Sequence, residues 1–87
     1  MKGELKNGFK WDVDVKVLND MELIDAVAEA ESENPAKISV VIKKLLGEKQ
    51  RKALYDHVRD EDGIVPADVL ADCVVEIITA LGEPGKN

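Results

Sequence analysis

Cysteine, histidine and aromatic residues are scarce in this chain of 87 residues, which holds one Cys, one His, one Trp, one Tyr and one Phe. With Cys73 alone there can be no disulfide within the chain, and a reducing compartment is expected. A single histidine, His57, rules out His–His and Cys–His metal spacings, and no Ser or Asp stands near it in a triad pattern. The six glycines form neither GxGxxG nor GxxxxGK, so no phosphate-cradling loop is present. Long apolar runs are missing as well. No stretch approaches the ~18 residues of a membrane span, and Met1-Lys2-Gly3-Glu4 leads into no leader-like apolar run.

What is abundant is aliphatic and charged. Hydrophobic residues make up 45% against 34% charged, enough for a folded core built mostly of Val, Ile, Leu and Ala. At this length one small domain is expected, without room for a deep, water-excluding active site. The formal net charge of −6 argues against a nucleic-acid binder, whose affinity comes from neutralising phosphates. Lys43, Lys44, Lys49, Arg51 and Lys52 nevertheless cluster around Gly47, while Asp20, Glu22, Asp25, Glu29, Glu31 and Glu33 load the preceding segment. Solvated faces of opposite sign explain this, as would complementary contact between copies of the chain.

The alternation of Phe9, Trp11, Val13, Val15 and Val17 with charged residues is the period of a strand with one buried face. Lys2 to Leu5 supplies a partner, and a three-residue loop, Lys6-Asn7-Gly8 with Gly8 left-handed, pairs Leu5 with Phe9 and keeps the apolar side chains together. Four helices are expected to follow. Asn19 and Asp20 cap the first, which carries Met21, Ile24, Val27 and Ala28 to about Glu31. Ser32-Glu33-Asn34-Pro35 breaks it. Ile38, Val41, Ile42 and Leu45 mark the second, ended by Gly47. The third runs from Glu48 to Arg59 with Leu54, Tyr55 and Val58. The fourth opens at Pro66 and ends before Gly82, and its stripe of Val69, Cys73, Val74, Ile77, Ile78 and Leu81 is wide enough for two neighbours. The reading is therefore mainly α: a β-hairpin over 1–17, a compact four-helix core over 18–82 and a short tail over 83–87. Expected core residues include Ile24, Ile38, Leu54, Val58, Val69, Val74 and Ile77.

Asp60-Glu61-Asp62-Gly63 between two helices invites comparison with an EF-hand. Aligned on the loop glycine, however, Val58 and Val69 fall where the first and last ligands belong. A helix-ending turn, with Ile64 and Val65 entering the core, fits better. Cys73 and His57 read as a buried small hydrophobe and a surface residue, not as reactive groups. No catalytic, metal or cofactor residues are assigned. Phe9, Trp11 and Val13 read as core packing of the hairpin, with a protein-contact anchor as the alternative, since tryptophan is a favoured hot spot. Together with Lys43 and Lys44 they form the candidate protein-interaction set. An uncovered strand face gives the chain a reason to self-associate, and a homo-oligomer is expected.

The order of these features resembles the small tail assembly chaperones of long-tailed bacteriophages. The residues that carry the resemblance are the hairpin KGELKNGFKWDVD, the junction LLGEKQRKAL and the segment HVRDEDGIVPADVLADCVVEIITALG. The resemblance implies a helical, non-enzymatic protein of the bacterial host cytoplasm. Such a protein binds the tape measure protein during tail morphogenesis and helps tube subunits polymerise around it. Some members also exist as a longer, frameshifted product. A head–tail connector or scaffold component acting by protein–protein contact would share these features. Acidic mimicry of DNA would need an unbroken carboxylate face, which the basic cluster interrupts. Neither nucleic acid nor membrane is expected as a partner.

Overall fold

The computed structural model describes residues 1–32 and 35–82. The expected break at Glu33 and Asn34 and the expected tail 83–87 lie outside them. Strands β1 (Lys2–Glu4) and β2 (Lys10–Asp12) form an antiparallel hairpin with Gly3 opposite Trp11. The loop is the three-residue one. Leu5 N donates to Phe9 O at 2.8 Å, Gly8 N to Leu5 O at 2.9 Å, and Gly8 sits at φ 90°, where a side chain would be strained.

The second strand is shorter than its alternation suggests. The last rung joins Val13 N to Met1 O at 2.8 Å. Asp14 then accepts from Lys16 N at 3.1 Å and opens a 3-10 turn, Val15–Asn19. Val15 ends on the surface and Val17 packs partly against the core. The Asp14 carboxylate, by bonding the backbone two residues on, ends the strand inside its alternating run.

Helix α1 spans Met21–Ser32. Asp20 caps it, accepting from Glu22 N at 2.9 Å and, through its carbonyl, from Ile24 N at 3.0 Å. Helix α2 spans Ile38–Val58 after a 3-10 turn at Pro35–Lys37. Here the expectation of four helices is corrected to three. The second and third run on without an intervening loop, and Gly47, at φ 81° and ψ 166°, is the point where the segment bends. The bend is a reversal. Tyr55 Oη donates to Ser39 Oγ at 3.2 Å, although sixteen residues of straight helix would separate the two by about 24 Å. Arg51 secures the same return, donating to Ser39 Oγ at 3.1 Å, pairing with Glu48 and lying over the Tyr55 ring at 5.3 Å. Helix α3 spans Ala67–Leu81, and Gly82, at φ 100°, closes it by donating to Ile78 O at 2.9 Å.

Hairpin and helices bury one shared cluster. Leu5, Phe9, Trp11 and Val13 meet Leu23, Ile42, Leu54 and Ile77 there. The hairpin is also latched by polar contacts. Gln50 of α2 accepts from Asp12 N at 2.8 Å and donates to Asp12 O at 2.7 Å, covering part of the outer edge of β2. Glu76 of α3 accepts from Lys6 N at 2.9 Å, and His57 Nε2 lies 2.9 Å from Asn7 O. No helix among the described residues is long and apolar enough to cross a membrane.

Candidate functional site

An open groove of about 740 Å³ lies between α1 and α3. Both helices pack on α2, and each carries more apolar surface than that contact uses. On α1 the inner face is Leu23, Ala26 and Ala30. The neighbouring face, Ile24, Val27 and Ala28, turns into the groove. On α3 the inner face is Leu70, Cys73, Val74 and Ile77, while Ala71, Val75 and Ile78 line the opposite wall. Ile38 and Val41 of α2 form the floor. Val75 is 63% exposed, and Ala28 and Thr79 are also open to solvent. The walls are 12 and 15 residues long, about 18–22 Å at the helical rise, which suits a partner helix of three to four turns.

The walls carry carboxylates and no cations of their own. Helix α1 contains four acidic residues and α3 three, and neither contains Lys, Arg or His. Glu22 and Asp20 hold Lys44, at 2.8 and 3.9 Å, and Glu29 holds Lys37 at 3.5 Å. Asp25, Glu31, Asp68 and Asp72 are exposed and have no ion-pair partner among the described residues. Glu31 lines the groove, and Asp25, Asp68 and Asp72 each lie one turn from a lining residue: Ala28, Ala71 and Val75.

The candidate interaction residues named from the sequence do not come together as a surface. Phe9, Trp11 and Val13 are 8, 4 and 1% exposed and sit in the core of their own chain, so their side chains offer no anchor on this fold. The reason is local. Gly3 lacks a Cβ, and the Trp11 indole lies across it so closely that an added Cβ would come within 2.6 and 2.9 Å of ring atoms Cε2 and Cη2. The hairpin thus supplies its own cover, completed by the helices. Lys43 is exposed and reaches Glu48 at 3.9 Å. Lys44 bridges to α1, and its hydrogen bond with Glu22 holds the ammonium above the usual lysine range. The two lysines bind carboxylates of their own chain.

The remaining chemistry-bearing residues are committed locally. Cys73 is buried, accepts a weak contact from Asn7 Nδ2 at 3.7 Å, and its thiol is pushed up by burial and by nearby Glu76. His57 is exposed and tilts against the Phe9 ring at 5.6 Å. In the acidic turn, Asp60 Oδ1 accepts from Asp62 N and Ile64 N, each at 2.9 Å, so this carboxylate oxygen is spent on its own backbone. Gly63 takes φ 82° there. Val65 packs against the core, but Ile64, expected beside it, stays exposed at 58%. Among the described residues no three His, Cys, Asp or Glu are placed to share a metal ion.

Sequence reasoning misses Val75, Ala71 and Thr79 as wall residues. The signal for them is the pair of doublets Val74–Val75 and Ile77–Ile78, which make α3 apolar over more than one face. No protein-family model, curated protein or solved structure matches this chain.

Proposed function

We propose that this chain is a non-enzymatic assembly chaperone that shelters an apolar helix of a partner in the α1–α3 groove. The partner favoured by the family resemblance is the tape measure protein of a long-tailed phage, met in the host cytoplasm. One observation carries the reading: an open groove with two apolar helical walls, on a fold whose hairpin and inner helix faces are already satisfied. An open groove between two apolar helical walls is the geometry in which a protein receives the apolar face of an amphipathic helix. A partner that is long, helical and apolar along its seams would aggregate unless such surfaces were covered during assembly.

The test is co-expression with the tape measure protein of the same genome, followed by co-purification. The pair is expected to co-purify, and Val75→Arg is expected to abolish this while leaving the helical circular dichroism of the chain intact. Intact co-purification of the Val75→Arg chain would refute the groove as the binding site. Absence of any association would favour a connector or scaffold role instead.

A further inference from the structure

The groove reading leaves the chemistry of the occupant unspecified, and the charges on its walls define it. Neither α1 nor α3 holds a basic residue, and Asp25, Glu31, Asp68 and Asp72 stand in or beside the groove without ion-pair partners among the described residues. Lys37, which adjoins the floor residue Ile38, is already engaged by Glu29. A second copy presenting the same face would set like charges against each other, and an anionic lipid surface would be repelled in the same way. We infer that the groove selects an amphipathic helix whose apolar stripe is flanked on both sides by Lys or Arg. The stripe fills the space between Ile24, Val27, Val75 and Ile78, while the flanking cations meet the carboxylates of both walls. This rests on the groove as the docking site and adds the sign of the partner's charge. Apolar contact holds the helix, and the charges choose which helix enters and speed its arrival.

Two synthetic helices of about 15 residues test this. They share one Leu stripe at helical spacing and differ only in carrying Lys or Glu beside it. Binding of each to the full chain is read by fluorescence anisotropy. At low salt the Lys-flanked helix should bind about tenfold tighter, since several exposed pairs each add up to a few-fold. High salt should narrow the gap, and the double variant Asp25→Lys, Asp72→Lys, which sets two new cations against the remaining Glu31 and Asp68, should largely remove it. Equal binding of the two peptides would overturn the inference and leave groove docking standing. If neither binds, groove docking fails with it. Binding of the Lys peptide that survives Val75→Arg, or that persists when its Leu stripe is replaced by Ser, would place it on the acidic surface at large and overturn the inference. A dimer of the chain alone, dispersed by Val75→Arg in sedimentation, would replace the basic helix by a second copy.

Discussion

At the scale of single residues, a small set of side chains sets the geometry. Gly3 is one, because the Trp11 ring occupies the space a Cβ would need. Gly3→Ala should destabilise the chain by about 1–3 kcal/mol, as overpacking does, measured by urea unfolding followed at the indole. A neutral outcome would mean that the ring shifts at little cost. Cys73 is another. Burial raises its thiol above the ordinary 9.0, so the stability that depends on the neutral form is complete below that value. It is lost as pH rises through the folded-state value, because the unfolded chain releases its proton first. Cys73→Ala should flatten this alkaline decline in a series of melts, and alkylation of the wild-type thiol at pH 8 should be much faster in denaturant than in buffer. Lys44, also raised, adds a loss of the same sign at higher pH.

At the scale of elements, the bend at Gly47 has the largest consequences. Its φ of 81° with ψ of 166° is a region that side chains rarely enter. A Cβ added at this position would meet nothing within 4 Å beyond its chain neighbours, so the cost of a substitution is conformational rather than steric. Gly47→Ala should therefore cost about 1–3 kcal/mol, read by thermal melting. It should also loosen the Ser39–Arg51–Tyr55 contacts that depend on the reversal. Gly47 is recognisable in the sequence as a helix end. What cannot be read there is that no loop follows, because glycine marks a stop without saying how soon the next helix starts. The same holds for phase. The stripe of α3 places Val69 inside, and Leu70 is there instead, since one residue's rotation of a helix with apolar residues on several faces leaves its periodicity almost unchanged.

At the scale of the whole molecule, the hairpin closes on its own helices. That removes the uncovered strand face on which the expectation of self-association rests. Trp11→Ala should accordingly unfold or strongly destabilise the chain, by about 3–5 kcal/mol in denaturant, and should not act by dissociating an oligomer. Sedimentation of the wild-type chain across micromolar concentrations checks the same point. A dimer that Trp11→Ala converts to a folded monomer would contradict the placement of the indole. Ile77, fully buried at the meeting of hairpin and helices, offers a second probe, with Ile77→Ala expected to cost about 2–5 kcal/mol.

The sequence by itself determined the hairpin, its three-residue loop and the pairing of Leu5 with Phe9, because a turn glycine and a period of two leave one register that keeps the apolar side chains together. It also placed the first helix's cap at Asn19 and Asp20, of which Asp20 serves, and the Gly82 stop, whose partners lie within a few residues along the chain. Only the tertiary structure decided which of two apolar faces on α1 and α3 would be buried. Met21, Ile24, Val27 and Ala28 form the legible stripe of α1, yet Leu23 and Ala26 take the core and leave Ile24, Val27 and Ala28 to the groove. Helical periodicity shows that a face is apolar, but how much of it is covered depends on the neighbours that α2 and the hairpin bring against it, and those contacts are made between residues far apart in the chain.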